Sequence, residues 1–172
     1  SIFTRLFGRK GSLLYLIGDP KQAIYGFRGA DIFAYMEAVR EVGSSRTLGV
    51  NRRSVPRLIA CVNALFSAHA NPFVFGDIAF NPARDAGTGA DGELMFHGNP
   101  VSPMVVWWLQ APEGTDKPLN KTHADGLVAR LAASEISRLI AGKKGHGASM
   151  GGRPVMPRDI AVIVRTNDQA SM

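Results

Sequence analysis

Residues 13–35, LLYLIGDPKQAIYGFRGADIFAY, constrain the fold of this chain more than any other stretch. The opening run, residues 13–17, is wholly apolar and is cut off by Gly18, the pattern of a strand buried on both faces. Gly18-Asp19-Pro20 then forces a turn, since this trio suits neither helix nor strand. Lys21, Gln22, Tyr25, Phe27 and Arg28 crowd into the next eight residues. Asp31 is placed to cap a helix with apolar residues at Ile32, Met36 and Val39, which ends before Gly43, a C-cap residue. Open α/β sheets meet their ligands at the carboxyl ends of strands, so the loop after residue 17 has the position of a site.

The alternation of strand and helix continues. Residues 47–50 read as a short strand that delivers Asn51, Arg52, Arg53 and Ser54. Ser54 is placed to cap a helix with Pro56 in its first turn and with Val55, Leu58, Ile59, Val62, Leu65 and Phe66 as its apolar stripe. Residues 70–103, rich in Gly, Pro, Asn and Asp, read as a long irregular stretch, functional or mobile rather than packed. A second buried strand is expected at 104–109, an amphipathic helix at 123–141, a Gly-rich basic connector at 143–153 and a further strand at 160–164. Strands alternating with helices imply an α/β fold with a parallel sheet. Residues 1–7 have the pattern of a helix already under way with no cap before it, so the chain reads as a fragment.

Composition sets outer bounds. The 172 residues are 45% hydrophobic, enough for a real core, and the net charge of +6 permits a polyanionic partner without requiring one. The lone Cys61 excludes an internal disulfide and reads as a small buried apolar residue. No apolar run is long enough for a membrane-spanning helix, which leaves a reducing cytoplasm as the default compartment. The four histidines are scattered without metal-ligand spacing, so no metal site is expected. There is no GxxxxGK[ST] phosphate-binding loop, no Ser/His/Asp set and no nuclease carboxylate cluster. Gly87 to Gly92 fits GxGxxG only literally, because no helix pattern follows it.

GDPKQAIYGFRGAD resembles motif III of the superfamily 1 DNA helicases, the UvrD/Rep and RecB group, whose form is roughly GDxxQxIYxFRGA. Gly18, Asp19, Gln22, Ile24, Tyr25, Phe27, Arg28, Gly29 and Ala30 all match, nine positions over thirteen residues. The wording GDPKQAIYGFRGADI is closest to the RecB-like branch (exodeoxyribonuclease V beta subunit type), and Asn51-Arg52-Arg53-Ser54 resembles motif IV. NPFVFGDIAF and PRDIAVIVRTNDQA resemble further RecB-like segments. The resemblance implies a RecA-like, P-loop NTPase-type motor fold. Residues 1–45 would be the tail of the first motor domain, and residues 46–172 the first half of the second.

The same resemblance implies functional roles. Gln22 would sense the γ-phosphate, its amide both accepting from water and donating to phosphate. Arg53 would reach that phosphate across the domain gap. Arg52 stands where the family has an aromatic that stacks on adenine, and a guanidinium plane can also stack on a base. Tyr25, Phe27 and Arg28 would contact single-stranded DNA. The intact protein would use ATP and Mg²⁺, neither held by this piece alone. It would act on single- and double-stranded DNA beside RecC- and RecD-like subunits, with no membrane partner. The isolated piece is expected to be inactive and to self-associate through unpaired strand edges. A UvrD/Rep-type repair helicase and a non-catalytic DNA-binding scaffold derived from a helicase are the alternatives.

Overall fold

The computed structural model describes residues 5, 15–22, 32–42, 45–73, 75–87, 92–111, 119–140 and 147–171. These form a mixed α/β chain in two compact units. One unit comprises Ser1–Leu48 and Ala70–Asn81, the other Gly49–His69 and Pro82–Met172.

In the first unit, a 3₁₀ turn over residues 20–22 precedes helix α1, Ile32–Val42. Gly18 lies against α1, where an added Cβ would come within 3.2 Å of Tyr35 Cδ2. That close approach favours glycine. Residues 70–81 are not the loose stretch that their composition predicts. Phe75 meets Phe33 of α1 edge-on at 6.0 Å, Asp77 pairs with Arg40 at 2.7 Å, and Ile78 is buried. Three aromatics in this short segment supply enough apolar surface to fold it onto a helix.

The second unit starts with a parallel pair, β1 (Val50–Asn51) and β2 (Arg84–Asp85), in the register Val50 to Arg84 and Asn51 to Asp85. Helix α2, Pro56–Ser67, follows β1. Its Asn63 clamps the approach to β2: Nδ2 donates to Ala83 O at 2.8 Å, and Ala83 N donates to Oδ1 at 3.1 Å. A four-stranded antiparallel sheet follows, in the order β4-β3-β5-β6. Its strands are β3 (Leu94–Phe96), β4 (Asn99–Pro100), β5 (Ala148–Met150) and β6 (Arg153–Pro154). Both hairpins turn on two residues with positive φ, His97-Gly98 and Gly151-Gly152, as tight hairpins with right-handed strand twist require. Helix α3, Lys121–Ile140, lays Arg138 over the Phe96 ring at 4.2 Å. Ile59, Ala148 and Val155 are buried in this unit. A short helix α4, Asn167–Ala170, ends the described chain, with Thr166 accepting the Gln169 amide as its cap.

Several expectations are corrected. Among the described residues the parallel-sheet reading holds only for β1 and β2, because the larger sheet is antiparallel. The basic connector at 143–153 instead supplies β5 and β6 from its residue 148 onward, and residues 82–103 supply β2, β3 and β4. Residues 15–17, 104–109 and 160–164 are not strands, and Ile17, Trp108 and Ile163 are 97%, 83% and 94% exposed. An apolar run supplies the tendency to be buried, but a strand also needs a paired neighbour, and none of these runs has one among the described residues. Ser54 is not the helix cap: Val55 takes that position, and Asn51 engages Ser54 instead. Cys61 is half-buried rather than buried. Residues 13, 14, 31 and 43 lie outside the described residues.

Candidate functional site

Two turns carry the candidate residues. In the first unit, Asp19 precedes the 3₁₀ turn and organises it. Gln22 N donates to Asp19 O at 3.0 Å, and Lys21 N donates to Asp19 Oδ1 at 3.0 Å. Lys21 Nζ lies 2.7 Å from the same Oδ1. Gln22 Nε2 donates to the other carboxylate oxygen, Oδ2, at 3.3 Å. Burial pushes the Asp19 carboxyl up, but the side-chain and backbone hydrogen bonds from Lys21, its charge and the Gln22 bond together outweigh that, and the group is held below its ordinary value. Gln22 is exposed on this turn.

In the second unit, β1 ends at Asn51, whose side chain sets the following turn. Asn51 Oδ1 accepts from Arg53 N at 2.8 Å and from Ser54 N at 2.9 Å, and Nδ2 donates to Ser54 Oγ at 3.3 Å. An Asn side chain that captures amides two and three residues ahead fixes the backbone locally. Arg52 and Arg53 project from this fixed turn at the carboxyl end of the parallel pair and are exposed. Neither guanidinium forms an ion pair among the described residues. Arg57, in the first turn of α2, is by contrast engaged by Glu93 at 3.4 Å.

The structure therefore brings Arg52 and Arg53 together on one turn and sets Gln22 on a turn of the other unit. Tyr25, Phe27 and Arg28 lie outside the described residues. Sequence reasoning did not single out Asp19 and Asn51 as the anchors of these turns. The signal was present, because Asp or Asn opening a turn commonly bonds the backbone two residues on. A groove of about 410 Å³ lies elsewhere, along the start of α3, lined by Asn120, Thr122, His123, Gly126 and Arg130.

The donor set tells what these turns can hold. An exposed amide and two exposed guanidinia suit phosphate oxygens, which accept hydrogen bonds and carry charge. Among the described residues no group of three His, Cys, Asp or Glu side chains could hold a metal ion. Each turn by itself thus offers groups suited to the oxygens of an anion. Among the described residues no helix is long and apolar enough to cross a membrane.

Comparison with known proteins gives the class first. The family described as "UvrD/REP helicase N-terminal domain" matches residues 1–42, so the opening of the chain is similar to a UvrD/Rep-type helicase domain. The likeness to RecB is more specific and runs along the whole chain. RecBCD enzyme subunit RecB of Escherichia coli K12 is 38% identical over 99% of this chain. The RecB subunits of Haemophilus influenzae and Mycobacterium tuberculosis H37Rv are 33% and 34% identical over 100% and 98% of it. The chain is thus similar to a segment of RecB subunits along nearly its whole length, and it spans 14% of the length of the Escherichia coli protein.

Proposed function

We propose that the full-length protein is an ATP-dependent 3′-to-5′ DNA helicase and exonuclease subunit acting in double-strand break repair and recombination. It couples ATP hydrolysis to movement along single-stranded DNA. The observation that carries this reading is the likeness to RecB subunits over nearly the whole chain. In this reading the fold is RecA-like, with residues 1–45 completing a first motor domain and residues 46–172 opening a second. It works in the cytoplasm beside RecC- and RecD-like subunits.

Each candidate residue has a part in it. Gln22 presents its amide to the attacking water and the γ-phosphate. Arg53 neutralises charge that builds on that phosphate during transfer, an interaction stronger in the transition state than in the ground state. Arg52 stacks on the nucleotide base in place of an aromatic ring. Tyr25, Phe27 and Arg28 contact single-stranded DNA. Mg²⁺, bound with ATP by parts of the protein outside this chain, supplies charge neutralisation at the phosphates.

This division of labour is open to direct test. Purified alone, the 172-residue chain is expected to release no phosphate from ATP, with or without single-stranded DNA, because it has no phosphate-binding loop. In light scattering the same sample is expected to self-associate through the exposed runs around Val106, Trp108 and Ile163. Pro100 and Pro154 on the edge strands of the antiparallel sheet disfavour addition there. DNA-stimulated turnover by this chain would contradict the reading.

A further inference from the structure

The Asp19–Gln22 contact carries a consequence for how the Gln22 amide is oriented. An ionised carboxylate only accepts hydrogen bonds, so the end of the Gln22 amide that faces it must be the NH₂ group. Asp19 divides its two oxygens: Oδ1 takes Lys21 N and Nζ, and Oδ2 takes Gln22 Nε2 at 3.3 Å. The Lys21 contacts hold the carboxylate in its charged form, which keeps Oδ2 an acceptor. With one amide hydrogen committed to Asp19, Gln22 retains Oε1 and a second N–H for other partners.

We propose that Asp19 is a positioning residue that selects the rotamer of the Gln22 amide, presenting Oε1 as the acceptor for the attacking water and the second N–H as a donor to phosphate. The inference rests on the reading of Gln22 under the proposed function. It goes beyond that reading by naming which amide atom meets the water and what sets it. The plain alternative is that Asp19 only caps the 3₁₀ turn through Lys21 N.

Asp19→Asn separates the two. Asn caps a turn about as well as Asp. Its Oδ1 keeps Lys21 N, but the position facing Gln22 becomes an NH₂ donor, so the Gln22 amide must turn over and offer its own NH₂ to the water. The full-length protein carrying Asp19→Asn, Gln22→Ala or both is assayed for DNA-stimulated ATP hydrolysis, with thermal melting as the check on folding. Asp19→Asn is expected to keep its Tm and its KM within two-fold and to lose kcat by about ten-fold, the scale of one misdirected hydrogen bond. In the Gln22→Ala background it is expected to cost nothing further. A slowed Gln22→Ala with an Asp19→Asn that keeps wild-type kcat, or an Asp19→Asn loss that persists without Gln22, overturns the positioning role alone. A Gln22→Ala protein with wild-type kcat overturns the reading of Gln22 and the inference with it.

Discussion

The Asp19 turn and the Asn51 turn use one device to different ends. In each, an Asx side chain takes the amide two residues ahead, Lys21 N in the first and Arg53 N in the second, at 3.0 and 2.8 Å. At Asp19 the same carboxylate also holds the candidate side chain, through Gln22 Nε2. At Asn51 the side chain is spent on backbone amides and on Ser54, and the Arg53 guanidinium has no carboxylate partner among the described residues. A short neutral amide is fixed in advance, while a long cation is fixed only at its root. That would suit the roles proposed for them, an amide that orients a water and an arginine that travels to a phosphate.

If this contrast is right, the largest effect comes from removing the cation. In the full-length protein, Arg53→Ala is expected to lower kcat by roughly 10³-fold while leaving the KM for ATP within a few-fold, since the contact matters mainly in the transition state. Steady-state kinetics checks this, and a raised KM with spared kcat would make Arg53 a ground-state binder. Asn51→Ala should cost less. It leaves the guanidinium in place but frees the turn that roots it, and misplacement on that scale costs up to about 10²-fold in kcat. A loss as large as that of Arg53→Ala would mean that Asn51 does more than shape the turn.

The smallest effect concerns a carboxylate with a purely architectural role. Asp159 accepts from Arg153 Nη1 and Nη2 at 2.6 and 2.8 Å and from Met156 N at 2.9 Å, tying β6 to the 3₁₀ turn Pro157–Asp159. These bonds, led by those from Arg153, hold its carboxyl far below the usual carboxylate range. A folded value below the unfolded one, about 3.9, means that the stabilisation is present above that pH and is lost as pH falls toward the folded value. Arg153 is solvent-exposed although the Asp159 side chain is largely covered, so screening by solvent should keep the effect on global stability slight. Carboxyl NMR titration should show Asp159 ionised well below pH 4 while Asp19 shifts in the same sense; an Asp159 that titrates near its ordinary value would remove the tie.

The helices α1, α2 and α3 were legible in the sequence because each carries several turns of 3.6-residue periodicity. The stripe from Val55 to Phe66 became Pro56–Ser67, and the expected helix at 123–141 became Lys121–Ile140. The antiparallel sheet was not legible. Its strands are two or three residues long, too short for alternation to register, and Gly151-Gly152 read as a flexible connector when it was the turn of a hairpin. The runs at 104–109 and 160–164 misled in the opposite direction, since apolar content says nothing about whether a partner strand is at hand. For the candidate site, residue type pointed to Gln22, Arg52 and Arg53, but the anchors Asp19 and Asn51 emerge only when side-chain oxygens and backbone amides are placed in three dimensions.

The central proposal is that Gln22 and Arg53 both act on the γ-phosphate of ATP in the full-length protein. Turnover of ATP by the full-length protein tests it most directly, comparing Gln22→Ala, Arg53→Ala and the double variant under saturating single-stranded DNA. Residues that act as one catalytic set are strongly non-additive. The double variant is therefore predicted to be about as slow as the slower single variant, roughly 10³-fold below wild type. Losses that multiply in the double variant would show two independent sites and contradict the account.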